Sequence, residues 1–211
     1  MRIQWQVCRF LVFLTVALPA FAVNFSAPDT LNSNAAADSF NSDQYADIAV
    51  GANGTWIAVW KRGVPSYLSA GDIHYSRSTN NGSSWSALDK IGGQDVDNDD
   101  TNPRVATDGA GNWVCVWESG VSEADIFVSY STNDGVSWSN EAYLNSSMES
   151  DSAQDGAPSI ATDGDGNWIV TWRSTTSAGT GDESDLDIFY SKSTNAGANW
   201  SVMAPLNSNA T

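Results

Sequence analysis

The segment Val105-Ala-Thr-Asp-Gly-Ala-Gly-Asn-Trp-Val-Cys-Val-Trp117 decides the fold of this chain of 211 residues. Its Asp-Gly step supplies the positive φ angle that a tight hairpin needs, and β-branched or aromatic residues lie on either side. The residues Trp113–Trp117 are apolar at every position rather than at alternate positions. This pattern predicts a strand that is buried on both faces, as in a sheet packed between two other sheets.

The same kind of segment occurs three times. Its counterparts are Ile48–Trp60 and Ile160–Trp172, and each copy places two tryptophans four residues apart. A third tryptophan follows 21 to 28 residues later, so nine of the ten tryptophans fall into three triplets. The triplets are Trp56/Trp60/Trp85, Trp113/Trp117/Trp138 and Trp168/Trp172/Trp200. Spacing this regular predicts stacked copies of one small unit.

Each unit continues with a third strand and a short fourth strand. The third strands are Asp72-Ile-His-Tyr-Ser, Asp125-Ile-Phe-Val-Ser and Asp187-Ile-Phe-Tyr-Ser, and we expect the fourth strands to end at Leu88, Leu144 and Leu206. Four antiparallel strands, buried on both faces and repeated about an axis, describe a blade of a β-propeller. The predicted fold class is therefore all-β, with three four-stranded blades at approximately residues 45–89, 102–145 and 157–207.

The turn between the third and fourth strands carries a motif of its own. Its copies share serine, glycine and tryptophan at fixed positions, and we call them the Ser-to-Trp turns. They resemble the Asp-box, or bacterial neuraminidase repeat, of sialidase-like β-propellers, written Ser-x-Asp-x-Gly-x-x-Trp. Asparagine replaces the aspartate in every copy but keeps an acceptor oxygen for the turn. The matching residues are Ser78, Asn80, Gly82 and Trp85, then Ser131, Asn133, Gly135 and Trp138, then Ser193, Asn195, Gly197 and Trp200.

The resemblance implies a sialidase-type propeller in which these turns are structural and lie away from the active site. Closed propellers typically have four to eight blades, so three units predict an incomplete ring. Residues 27–34 echo residues 204–209, which indicates a possible ring-closing strand near the start. We therefore expect a partial sequence, with self-association into a ring as the alternative.

Arginines are the first candidates for a binding site, because the resemblance implies an arginine cluster that grips a sugar carboxylate. The Phe/Tyr-Arg-Ile-Pro motif that opens sialidase sequences is absent, and its nearest analogue is Arg104. Arg62 and Arg173 complete the candidate substrate-binding set, while the sequence identifies no catalytic residue. The calcium-like stretch Asp163–Asn167 lacks a closing glutamate, so we predict no metal site, and no motif indicates a cofactor.

Residues 1–22 are predicted to be a secretory signal peptide, because two arginines precede a short apolar run and an Ala20-Phe-Ala22 cleavage site. Residues 23–211 would then carry 7 Lys and Arg against 25 Asp and Glu, a net charge of −18. Such an acidic surface disfavours nucleic acid and anionic membranes as partners. The predicted location is extracellular or periplasmic.

Two residues with reactive side chains are interpreted as packing residues. Cys115 takes the place of Ala58 and Val170 in the other copies, which predicts a buried thiol. His74 stands where phenylalanine stands in the other two third strands, which predicts a packed ring.

Two functions are compatible with this sequence. The leading hypothesis is a secreted, non-catalytic propeller segment that binds glycans or other surface ligands, or serves as a structural module. The alternative is a fragment of an exo-α-sialidase or related glycoside hydrolase whose catalytic residues lie mostly in missing blades. The first hypothesis rests on the intact repeats combined with the missing opening motif. Acidic residues in the variable loops would also repel the carboxylate of a sialic acid, which argues against a carboxylate clamp formed by the three arginines.

Overall fold

Twelve strands form three antiparallel sheets in the computed structural model, which describes residues 30–31, 42–63, 71–93, 99–121, 123–144, 152–176 and 186–207. The first sheet contains β1 Ser42–Val50, β2 Trp56–Gly63, β3 Asp72–Ser78 and β4 Asp89–Lys90. The second contains β5 Asp100–Thr107, β6 Trp113–Ser119, β7 Asp125–Ser131 and β8 Ala142–Tyr143. The third contains β9 Asp155–Thr162, β10 Trp168–Ser174, β11 Asp187–Ser193 and β12 Ala204–Pro205. Each sheet keeps its strands in chain order, which confirms the predicted all-β fold with three four-stranded blades.

The predicted signal peptide lies outside the described residues, as does all of the predicted ring-closing segment except Thr30 and Leu31. Within the described ranges, no helix is long and apolar enough to cross a membrane.

Each sheet has two chemically different faces. On β6, Trp113, Cys115 and Trp117 pack towards the first sheet, whereas Val114 and Val116 pack towards the third. All five side chains are fully buried, as predicted for a strand between two other sheets. We call the side that bears the tryptophans of the second strand the tryptophan face, and the opposite side the aliphatic face.

Both hydrophobic cores lie between neighbouring sheets. In the first core, the aliphatic face of the first sheet, with Ile57 and Val59, packs on the tryptophan face of the second. In the second core, the aliphatic face of the second sheet packs on Trp168 and Trp172 of the third. The same contact therefore occurs twice, and it stacks the blades in the way that the tryptophan spacing predicts.

The Ser-to-Trp turns share one hydrogen-bond pattern. In the first turn, the Gly82 amide donates to Ser78 Oγ (3.0 Å) and the Ser84 amide donates to Asn80 Oδ1 (2.9 Å). The corresponding pairs are Gly135 to Ser131 (3.0 Å) and Ser137 to Asn133 (3.0 Å), then Gly197 to Ser193 (3.1 Å) and Asn199 to Asn195 (3.0 Å). The asparagines thus supply the acceptor oxygen that the turn requires, as predicted.

The predicted end of the fourth strand is wrong for the first blade. Leu88 precedes β4, and Ile91 takes the position that Leu144 and Leu206 hold in the other blades. The amides of these three residues donate to equivalent carbonyls of the third strands, at 2.9, 2.8 and 2.7 Å. Each of the three residues lies six positions after the tryptophan of its turn. The distance from that tryptophan therefore predicts the end of the fourth strand better than the residue type does.

Asp134 connects the turn of the second sheet to the first sheet. Its carboxylate accepts hydrogen bonds from Asn53 Nδ2 (2.5 Å), Thr55 Oγ1 (3.1 Å) and Trp113 Nε1 (3.3 Å). Arg77 donates from Nε to the Asp134 carbonyl (2.6 Å) and forms an ion pair with the carboxylate (3.4 Å). Burial acts to raise the pKa of Asp134, but these hydrogen bonds and the charge of Arg77 outweigh burial and lower it.

We expect Asp134→Ala to lower the free energy of unfolding by about 1–3 kcal/mol, because several donors would lose a charged acceptor. Alanine is compatible with the backbone here, since Ala196 holds the same position in the third sheet at a φ of 58°, against 65° for Asp134. The loss depends on pH. Because the pKa of Asp134 is lower in the folded state, its contribution to the free energy of unfolding is fully present above a pH of about 3.9, the ordinary pKa of an aspartate. That contribution disappears as the pH falls through the lowered pKa.

Urea unfolding of both proteins between pH 7 and pH 3 measures this effect, and the difference between them should narrow at the acidic end. Asn81→Ala is the matched control, because Asn81 holds the same position in the first sheet at a φ of 57° and is exposed. Equal losses for the two variants at pH 7 would contradict the interpretation of Asp134 as an anchor between blades.

Candidate functional site

The loops at one edge of the stacked sheets differ between copies, whereas the turns at the other edge are alike. Antiparallel pairing places the hairpins between the first and second strands on the same edge as the Ser-to-Trp turns. The opposite edge, which we call the loop edge, contains the beginnings of β1, β5 and β9 and the ends of β2, β6 and β10. Parts of its connecting loops, residues 64–70, 94–98, 145–151 and 177–185, lie outside the described residues.

A β-bulge interrupts each first strand close to the loop edge. Its first residue is Tyr45 in β1, Asn102 in β5 and Ala157 in β9, with φ angles of 57°, 52° and 52°. This left-handed conformation is uncommon for residues other than glycine, and bulges often re-aim side chains beside active sites. The backbone is therefore the same in all three copies, while an aromatic ring, an amide and a methyl group occupy equivalent positions.

A row of charged side chains lies next to these bulges. The residue after the second tryptophan of each unit is Lys61, Glu118 or Arg173. Lys61 Nζ forms an ion pair with Asp99 Oδ1 (2.7 Å), which also accepts a hydrogen bond from the Gly71 amide (2.9 Å). Burial acts to raise the pKa of Asp99, but these two bonds outweigh burial and lower it. Lys61 therefore connects the first sheet to the segment that enters the second.

Glu118 makes the equivalent connection between the second and third sheets. Its Oε1 accepts hydrogen bonds from Asn102 Nδ2 (2.8 Å) and from the Ala157 amide (2.6 Å). A Cβ atom placed on Gly156 would lie 3.3 Å from Glu118 Oε1 and 3.2 Å from Arg173 Nε. The absence of a side chain at Gly156 thus allows a half-buried carboxylate and an exposed guanidinium to lie beside the same backbone. We call Asn102, Glu118 and Arg173 the polar cluster.

The three predicted arginines lie on three different sheets. Arg104 is half-buried in β5 on the side that faces the third sheet, and its Nη1 donates to the Pro103 carbonyl (2.7 Å). Strand register places Arg62 on the outward side of the first sheet and Arg173 on the outward side of the third. The second sheet separates these two arginines within one chain. Their role in binding a carboxylate stays a prediction.

Glu118 and Asn102 were not among the residues predicted from sequence. One signal was present, because the position after the second tryptophan is charged in all three copies although the five residues before it are apolar except for Thr171. The contacts themselves cross between sheets, and strand periodicity carries no information about such contacts.

The residues interpreted as packing residues occupy the expected positions. Cys115 is fully buried, and burial, with lesser effects of Asp47 and Asp100, raises the pKa of its thiol well above the ordinary value. His74 is half-buried opposite Trp60, and burial lowers its pKa.

Asp163 accepts hydrogen bonds from Asn167 Nδ2 (2.6 Å) and the Asp165 amide (2.8 Å), which is the geometry of a hairpin turn.

No protein-family model and no curated protein matches this sequence. Among solved structures, a Hadza microbial sialidase is similar, with a TM-score of 0.59 at 18% identity over 78% of this chain and 38% of that chain. The GH93 α-L-arabinofuranosidase of Fusarium graminearum, in complex with arabinobiose, has a TM-score of 0.57 at 16% identity over 80% and 49% of the two chains. The leech intramolecular trans-sialidase has a TM-score of 0.62 at 10% identity over 87% and 46%.

These similarities establish the fold. The described sheets are blades of a sialidase-type β-propeller, and they do not close a ring. The chain spans less than half the length of each of these three proteins.

Proposed function

We propose that this chain is a secreted propeller module that binds glycans at its loop edge without hydrolysing them. The polar cluster of Asn102, Glu118 and Arg173 is the observation that carries the proposal. An amide, a carboxylate and a guanidinium offer both donors and acceptors, which are the groups that sugar hydroxyls and carboxylates pair with. The structural similarity to glycan-processing propellers supports the same ligand class.

Glu118 is suited to positioning rather than to proton transfer. Hydrolysis by most glycosidases, apart from sialidases with a tyrosine nucleophile, requires two carboxyl groups about 5–9.5 Å apart on either side of the scissile bond. The polar cluster contributes one carboxylate, that of Glu118. Glu118 Oε1 already accepts two hydrogen bonds, which hold the bulges of β5 and β9. A bound sugar would meet an arrangement that is already fixed by the scaffold.

Export through the predicted signal peptide is part of this proposal, since glycans of cell surfaces and matrices are met outside the cytoplasm. The Asp-box assignment of the Ser-to-Trp turns is also part of it, and it agrees with their shared hydrogen bonds. N-terminal sequencing of protein recovered from the medium or periplasm should give Val23 as the first residue. Recovery of uncleaved chain in the cytoplasm alone would exclude export.

A glycan array with sialylated, arabinose-containing and neutral glycans tests the binding proposal. Arg173→Ala should weaken binding by about tenfold or more, which corresponds to about 1.4 kcal/mol. Lys192→Ala is the matched control, because it removes an exposed cation from the same sheet near its other edge. Folded wild-type protein that binds no glycan, or equal losses in both variants, would contradict glycan binding at the loop edge.

The alternative function is that of a fragment of an exo-α-sialidase or related glycoside hydrolase. The observation that favours it is the chain's span, which is less than half the length of three structurally similar enzymes. Fluorogenic sialosides and arabinofuranosides distinguish the two functions when they are assayed with wild-type protein and Arg104→Ala. Turnover that requires Arg104 would replace the binding proposal.

A further inference from the structure

A groove of about 500 Å³ lies between the second and third sheets. Its walls are the third and fourth strands of the second sheet and the Ser-to-Trp turn of the third. Because β5 contacts both β1 and β9, the first strands form the inner side of the stack and this groove lies on the outer side. Its volume falls within the range of about 300–1,000 Å³ that is typical of ligand sites. We call it the outer groove and define it by Val128, Tyr130, Ala142, Asn199 and Trp200.

An aromatic ring fills the equivalent space between the first and second sheets. Tyr75 holds the position of Val128 there, and its ring packs edge-to-face on Trp138 with 5.7 Å between the ring centroids. Trp138 is the counterpart of Trp200 in the repeat. Since valine replaces tyrosine at the second interface, the half-buried indole of Trp200 becomes a wall of the groove.

Two charged residues of the first interface are also replaced at the second. Tyr130 takes the place of Arg77, whose Nε donates to a carbonyl of the second sheet (2.6 Å) across the first interface. Ala142 takes the place of Asp89, which pairs with the third strand of the first sheet. The same scaffold therefore forms an uncharged, aromatic-walled groove at one interface only, and differences on a constant scaffold indicate binding positions.

The polar groups of the outer groove are neutral. Ser84 and Ser137 each accept a hydrogen bond from the asparagine of their turn (2.8 Å in both). Asn199 replaces them in the third turn, where its exposed amide can both donate and accept. Among the described residues that line the groove, Glu141 alone is charged, and its carboxylate faces the first sheet, where Oε2 would lie 3.0 Å from a Cβ atom placed on Gly92.

We propose that the outer groove binds a neutral pyranose unit of a glycan, at a site that shares no residue with the polar cluster. A pyranose ring has an apolar C–H face and hydroxyl groups around its edge. The C–H face packs on the negative face of an aromatic ring, which Trp200 and Tyr130 supply. Asn199 supplies a donor and an acceptor for the hydroxyl groups. No lysine or arginine lines the groove to pair with the carboxylate of an acidic sugar, so the ligand is a neutral one.

Calorimetric titration with hexasaccharides of glucose, mannose, galactose and xylose tests the proposal. The wild-type protein should bind at least one of them, and Trp200→Ala should weaken that binding by about tenfold or more. Val128→Tyr should have the same effect, because it fills the groove with the ring that Tyr75 provides at the first interface. Trp85→Ala is the matched control, since Trp85 is the half-buried tryptophan of the first turn, and it should leave the affinity unchanged.

Val128→Tyr separates lost binding from lost folding, because it adds a side chain that this backbone already carries at Tyr75. Urea unfolding should therefore show a folded variant. A wild-type protein that binds none of the four saccharides at millimolar concentration would overturn the proposal, as would binding that Val128→Tyr leaves unchanged. Loss in Arg173→Ala but not in Val128→Tyr would assign the saccharide to the loop edge instead. Binding of a proline-rich peptide in place of the saccharides would also overturn it, since such peptides dock in aromatic-lined grooves.

Discussion

Gly135→Ala is expected to lower the free energy of unfolding by about 2–4 kcal/mol. About 1 kcal/mol comes from placing a side chain at a positive φ, here 74°, and about 1–3 kcal/mol comes from inserting a methyl group into a filled core. The added Cβ would overlap Cδ1 of Ile57, which is fully buried between the first and second sheets. Ile57 would have to change rotamer or the two sheets would have to separate. Urea unfolding monitored by tryptophan fluorescence measures the loss.

Gly82→Ala is the matched control for this prediction. Gly82 holds the same position of the first Ser-to-Trp turn at a φ of 78°, and its only close neighbour would be Trp85 at 3.9 Å. The control therefore carries the backbone cost alone and should lose about 1 kcal/mol. If both variants lost the same free energy, close approach between sheets would not be what requires glycine at position 135.

The repeated unit of this fold could be read from the sequence because its determinants are local. Asp-Gly hairpins, apolar runs such as Trp113–Trp117 and the Ser-to-Trp turns all act within about 15 residues, and tryptophan spacing then gives the number of copies. Burial on both faces followed from the lack of alternation in the second strands. The acceptor role of Asn80 and its two counterparts could be predicted because an asparagine side chain keeps the carbonyl oxygen that the turn needs.

The polar cluster could not be read in this way, because its contacts join residues of different units. Glu118 accepts a hydrogen bond from the Ala157 amide only because β6 and β9 have one particular offset along the strand direction. That offset depends on how the second and third sheets pack against each other. The bulges at Tyr45, Asn102 and Ala157 also have no common residue type. Sequence comparison between copies still points to the right places, since the positions that vary on a constant scaffold are the candidates for binding.

The scaffold and the candidate site depend on each other through the faces of the sheets. Lys61 and Glu118 lie on aliphatic faces, and each bridges to the next sheet just beyond the hydrophobic core. Arg173 occupies the same position on the outer face of the third sheet and is exposed. The same position thus supports the scaffold in two sheets and is exposed in the third.

Trp113→Ala should have the largest effect on stability of any single substitution considered, about 3–5 kcal/mol. The indole of Trp113 is fully buried in the first core, and its Nε1 donates to Asp134 Oδ1 (3.3 Å), so the change removes both packing and a bond of the anchor between blades. Chemical unfolding in dilute solution, followed by far-ultraviolet circular dichroism, measures the loss without relying on the deleted fluorophore. A cost near 1 kcal/mol would show that the sheets do not depend on this contact.

Trp56→Ala is the informative comparison, because Trp56 holds the same position in the first sheet but is only half-buried. Its loss should be smaller than that of Trp113, since the missing ring leaves less of a cavity. Equal losses in the two variants would show that burial of the indole does not determine the cost.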